Sequence, residues 1–113
     1  MKAGEFRRLA LALPGAVEGA HMGHADFRTG GRIFASLGPA EDWAMVKLPA
    51  DEQAALIDSD PDVYSAFAGA WGRFGATRIE LEAARRPVVG KALEAAFRNV
   101  SAPRPRRRKE KPT

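Results

Sequence analysis

Two adjacent glycines, Gly30 and Gly31, sit between two runs in which apolar and polar side chains alternate, across residues 18–37. A two-residue glycine loop suits the mirror-image turns whose twist matches that of paired strands, so the stretch reads as a β-hairpin. A flush register sets Thr29 opposite Arg32, Arg28 opposite Ile33 and Phe27 opposite Phe34. Phe27 and Phe34 then form a cross-strand aromatic pair, a contact worth roughly 0.2–1 kcal/mol. The opposite face carries His24, Asp26 and Arg28 with Ile33, Ala35 and Leu37. Such a mixture fits an antiparallel sheet with one face under helices and one partly open to water.

The flanking sequence supplies those helices. Phe6, Leu9, Ala10 and Leu13 recur at helical spacing, which predicts a first helix over 3–13 that Pro14-Gly15 stops. A turn at 38–42 leads to a third strand over 43–48. This strand has Trp43, Met45 and Lys47 on one side and Ala44, Val46 and Leu48 on the other. Pro49 ends that strand, and a helix follows to about Ile57, with Asp51 and Glu52 placed to complement its dipole. Asp60-Pro61 caps a short helical turn, and 66–75 is a connection rich in glycine and aromatics. Thr77, Ile79 and Leu81 alternate with Arg78, Glu80 and Glu82 in a half-exposed strand. Pro87 starts a last helix with the stripe Leu93, Ala96, Phe97 and Val100. The expected architecture is α+β: two layers, an antiparallel sheet with helices on one face, in the order α-β-β-β-α-β-α.

The chain has 113 residues, which suits one domain over 1–100. The segment 101–113 holds no large apolar residue and is expected to be a disordered basic tail. Charge divides at the same point. The tail carries six basic residues (Arg104, Arg106, Arg107, Arg108, Lys109, Lys111) and one acid, a net of +5, while the rest carries 12 basic and 13 acidic residues, a net of −1. The high isoelectric point therefore belongs to the tail. There is no cysteine, which excludes disulfides and thiolate metal sites and suits a reducing, cytoplasmic setting. No apolar run approaches a membrane span. The five apolar residues after Arg7-Arg8 are too few for a signal peptide and read better as part of the amphipathic helix.

Several motifs together resemble the MmcQ/YjbR family of small bacterial proteins: Leu13-Pro14-Gly15, Gly23-His24-Ala25-Asp26-Phe27-Arg28, the double glycine before Arg32-Ile33-Phe34-Ala35, Val46-Lys47-Leu48, and Trp71-Gly72. The resemblance runs from about Phe6 to Val100. It implies a frataxin-like α+β fold, and it brings the label DNA-binding. Where one common family pattern has Asn or Lys near Trp71, this chain has Arg73, so any anion contact inferred there rests on Arg73. The acidic helix ridge that frataxins use for iron has no counterpart, since Glu5 stands beside Arg7 and Arg8.

His21, His24 and Asp26 form H-x-x-H-x-D, a donor set that suits zinc or iron. No fourth ligand is evident, and Asp26 pairs equally well with Arg28 or a loop amide, so no metal and no cofactor are expected. No nucleophile elbow or phosphate-binding glycine loop occurs, and no enzyme is expected. Nucleic acid has two candidate footholds. The tail residues Arg104, Arg106, Arg107, Arg108 and Lys109 suit phosphate binding without sequence reading. On the sheet, Arg28, Arg32, Lys47, Arg73 and Arg78 suit a basic strip beside Trp43 or Trp71, where bases can stack. Against this, Asp26, Glu80 and Glu82 flank those arginines as on a solvated charged face, and large aromatics usually belong to the core. The expectation is a monomeric protein that binds DNA or another polyanion weakly, or serves as a regulatory accessory. The alternative is a protein-interaction or small-ligand module with no DNA role.

Overall fold

The computed structural model describes residues 1–101. The elements are α1 (Ala3–Leu11), β1 (Val17–His21), β2 (His24–Thr29), β3 (Arg32–Leu37), β4 (Trp43–Lys47), α2 (Ala50–Ser59), β5 (Tyr64–Ala66), α3 (Gly69–Arg73), β6 (Ala76–Glu80), a 3-10 turn (Leu81–Ala83) and α4 (Arg86–Ser101). The six strands form one antiparallel sheet in the order β1-β2-β3-β4-β6-β5. The α+β class and the antiparallel sheet under helices hold, and the expected order stands as the frame, with β1, β5 and α3 added. The basic tail lies outside the described residues.

Each addition has a local cause. The run before Gly30 is two strands, because the chain reverses at Met22 and Gly23, which have φ of 51° and 84°. Both values are left-handed, as the mirror-image hairpin turn requires, and the second loop repeats the device with Gly30 at 58° and Gly31 at 79°. β5 is only three residues long, too short to show a period. The helical stripes sit where their spacing places them. Phe6 and Ala10 of α1 and Val89, Leu93 and Ala96 of α4 are buried against Phe27, Leu37, Val46 and Ile79.

The flush register of the glycine hairpin does not hold. Arg28 is opposite Ile33, but Phe27 is opposite Ala35 and Asp26 opposite Ser36, so β3 carries an extra residue at Phe34. This β-bulge shifts the parity of everything beyond it. Ala35 and Leu37, expected beside His24 and Asp26, turn to the helix side and are fully buried, while Ser36 takes the place beside Asp26. Phe27 and Phe34 both lie in the core, yet they do not pair. Phe27 meets Phe6 of α1 edge-on at 6.1 Å and Phe34 meets Phe97 of α4 at 5.6 Å. Each ring thus anchors a different helix.

Candidate nucleic-acid interface

Strand alternation and the bulged register decide which side chains reach the sheet face away from α1 and α4. Asp26 and Arg28 of β2, Ser36 of β3, Trp43, Met45 and Lys47 of β4 and Arg78 and Glu80 of β6 fall on that face. It is far from bare. Asp26 is only 1% exposed, held by two hydrogen bonds that Arg28 donates, Nε to Oδ1 at 2.8 Å and a terminal nitrogen to Oδ2 at 3.0 Å. Gly19, opposite Asp26 on β1, makes this possible. A Cβ there would stand 3.0 Å from Asp26 Oδ1 and 3.1 Å from Arg28 Nε, so the guanidinium lies across the strand at the glycine. The hydrogen bonds from Arg28 hold the Asp26 carboxyl below the usual carboxylate range, against the opposing effect of burial. The charges of Arg28, His21 and His24 act in the same direction. Of the alternatives the sequence leaves for Asp26, the structure selects the pairing with Arg28.

Three strands away, on β6, Arg78 donates to Glu80 and places its guanidinium 4.9 Å from the Trp43 ring centre, a cation–π contact. Trp43 in turn meets Phe67 at 5.6 Å, and Phe67 meets Trp71 of α3 at 4.4 Å with the planes tilted by 39°. The result is an aromatic row from β4 to α3. Two glycines let it form. The indole of Trp43 lies against Gly38, where a Cβ would come within 2.3 Å of the ring, and at Gly72 a Cβ would fall 1.7 Å from the Phe67 carbonyl oxygen. Gln53 of α2 fixes the same corner, its amide nitrogen lying 3.1 Å from the Gly72 carbonyl, 3.2 Å from that of Ala76 and 3.0 Å from Thr77 Oγ1.

The sequence-derived strip is therefore brought together in part. Arg28, Lys47 and Arg78 share the face opposite α1 and α4. Arg73, the last residue of α3, is exposed near Trp71 in the chain and makes no ion pair among the described residues. Arg32 departs from the strip: its partner is Thr29, on the other parity, and it donates to the Val100 carbonyl at the end of α4 at 3.0 Å. Arg104, Arg106, Arg107, Arg108 and Lys109 lie outside the described residues. The expectation that acids accompany the arginines holds for Asp26 and Glu80. The expectation that the tryptophans are core does not, since Trp43 is half-buried and Trp71 is 49% exposed. Phe67 was not singled out by sequence, although its i,i+4 spacing to Trp71 is the signal that links them.

His21 and His24 stand edge-on at 6.3 Å beside this face, and the Nδ1 of His24 is buried without a hydrogen-bond partner. No group of three His, Asp or Glu side chains suited to a metal ion occurs among the described residues. A separate apolar groove of about 380 Å³ runs between α2 and α4, lined by Leu48, Ala55, Leu56, Val88 and Ala92 with Lys91 at its rim. No helix among the described residues is long and apolar enough to cross a membrane.

Comparison with known proteins gives one family and one fold. The family model named YjbR matches residues 11–99. The crystal structure of Deinococcus radiodurans protein DR2400, which carries a DUF419 domain, is similar with a TM-score of 0.79 at 16% identity, over 96% of this chain and 86% of that one. At that identity the likeness speaks for the fold alone. No curated protein matches the chain.

Proposed function

The chain belongs to the YjbR family, and from that premise we propose that it is a weak, sequence-independent nucleic-acid-binding protein with no catalytic step of its own. The observation that carries this reading is the joint placement of Arg28, Lys47 and Arg78 with Trp43 on the sheet face opposite α1 and α4. Cations there meet phosphates and aromatic rings meet bases. Arg28 and Arg78 are each offset by a carboxylate, so this face contributes modestly. The tail residues Arg104, Arg106, Arg107, Arg108 and Lys109 supply the larger electrostatic share through counterion release.

Titration of fluorescent DNA at several salt concentrations tests the reading. Changing those five tail residues to glutamine should reduce the log–log salt slope by about 3.5–4.5, at roughly 0.7–0.9 per phosphate contact. Undiminished affinity with a clear preference for one duplex sequence would make the sheet a reading surface and the tail irrelevant. Failure of every variant and the parent to bind at near-physiological salt would remove the nucleic-acid reading. A second reading, binding of a small apolar ligand, then leads, because the groove between α2 and α4 has the volume and apolar lining of a small-molecule site.

A further inference from the structure

Trp71 is an uneconomical residue on the surface. An indole left 49% exposed forgoes burial that the fold supplies to most large aromatics, and Phe74, one turn on, is 77% exposed. Trp71 is nonetheless firmly held. Phe67 covers one side of its ring at 4.4 Å, Gly72 presses the helix onto the Phe67 backbone, and Gln53 binds the Gly72 carbonyl. With Phe67 on one side, the exposed half of the indole is turned outward. A fixed, outward indole at the end of an aromatic row is a stacking platform that is already ordered before anything binds.

We infer that this platform takes single-stranded nucleic acid, with an unpaired base stacked on Trp71; the inference rests on the nucleic-acid reading above and names its substrate class. In a duplex the base faces are buried against one another, whereas a single strand presents them. The other routes to duplex recognition are poorly served here. A major-groove reader inserts a helix or a two-stranded ribbon; α1 and α4 lie on the far side of the sheet from this face, and the strands that carry it, β2, β4 and β6, are each flanked on both sides within the six-stranded sheet. Two of its three cations, Arg28 and Arg78, are already paired with carboxylates, which weakens any contact that relies on phosphate charge alone. Stacking is the interaction this surface offers undiminished.

The test uses the full chain with Arg104, Arg106, Arg107, Arg108 and Lys109 changed to glutamine, so that the tail does not mask the sheet. The probes are a labelled 12-nucleotide oligothymidylate and a labelled duplex of equal length. The single strand should bind more tightly and quench tryptophan emission. Trp71→Ala should weaken it by about tenfold or more, the scale of one lost base stack, and Trp71→Phe should keep most of the affinity. Duplex binding should not respond to either change. Because Trp71 is half exposed, both variants should melt close to the parent, which separates a lost platform from a lost fold. Equal affinity for the two probes, with Trp71→Ala leaving the single strand unaffected, would overturn the inference while leaving nucleic-acid binding intact. Absence of binding to either probe by the unmodified chain would remove both.

Discussion

Arg28→Ala should destabilise the protein more than Asp26→Asn, although the two residues form one ion pair. The asymmetry follows from burial. Asp26 is almost wholly enclosed, and both of its carboxylate oxygens are satisfied by Arg28 alone among the described side chains. The Arg28 side chain is 36% exposed and is free to turn into water once its partner is neutral. Removing the arginine strands a buried charge, which costs about 3 kcal/mol, the low end for a broken buried pair because solvent enters where the guanidinium lay. Replacing the aspartate by its amide keeps one acceptor for Arg28 and turns the other into a donor, so one charged hydrogen bond is lost and one weakened, at a cost of about 1–2 kcal/mol.

The pH dependence makes the argument sharper. In the parent, Asp26 titrates below its unfolded value, so its contribution is fully present above the ordinary carboxylate range and is lost as the pH falls through the folded pKa. In Arg28→Ala the main cause of that depression is gone and the opposing effect of burial remains, so the folded pKa rises above that of the parent. The penalty is then largest at neutral pH and shrinks on acidification, as the buried carboxyl takes up a proton. Urea denaturation followed by tryptophan fluorescence at pH 7 and near pH 4.5 reads both effects. Equal losses for the two variants, or an Arg28→Ala penalty that grows on acidification, would refute the account of Asp26 as a charge held in place by one partner.

Other expectations concern the core and its edges. Phe34→Ala should cost about 3–5 kcal/mol, because the ring is fully buried and contacts Phe97 of α4; near-parental stability in thermal melts would contradict the core assignment. Gly72→Ala places a methyl group on the Phe67 carbonyl, so it should cost about 1–3 kcal/mol and displace Trp71, measurable as a lowered melting point with a changed emission maximum. Removal of 101–113 should shift the melting temperature by no more than about a degree or two, since the deletion reaches the described fold only at the exposed Ser101; a larger drop in calorimetry would show that the segment docks on the body.

How far the sequence speaks can be followed residue by residue. Periodicity finds α1 and α4, because each buries a stripe wide enough to dominate its spacing. It finds the Gly30-Gly31 turn, because glycine advertises positive φ. It passes over the Met22-Gly23 turn, where a methionine adopts φ 51° with no residue-type signal beyond the following glycine. The bulge at Phe34 is invisible in the same way: alternation is a rule of constant parity, and one extra residue breaks it without leaving any mark in composition. That break moves Ala35 and Leu37 into the core. At the site, the i,i+2 pairing of Asp26 with Arg28 is legible because strand neighbours two apart share a face. The fate of Trp43 was legible too, since alternation sets it with Lys47, opposite Val46. The statistical preference of tryptophan for the interior pointed the other way, and for this strand parity decides.

Parity also explains why charge and aromatic surface coincide on one face. The helices α1 and α4 need an uninterrupted apolar floor, and Phe27, Ala35, Leu37, Val46 and Ile79 provide it. The charged and oversized residues of β2, β4 and β6 are thereby forced to the other side, where Asp26, Arg28, Trp43, Lys47, Arg78 and Glu80 gather. Carboxylates beside the arginines keep that face nearly neutral, which is compatible with a body of net charge −1. Excess positive charge is confined to the chain beyond α4. The two means of attracting a polyanion are thus separated: long-range attraction belongs to the tail, short-range stacking to Trp71 and its row. Neutralising the tail should therefore alter how binding depends on salt, and altering Trp71 should change which form of nucleic acid is preferred, with little crossover between the two.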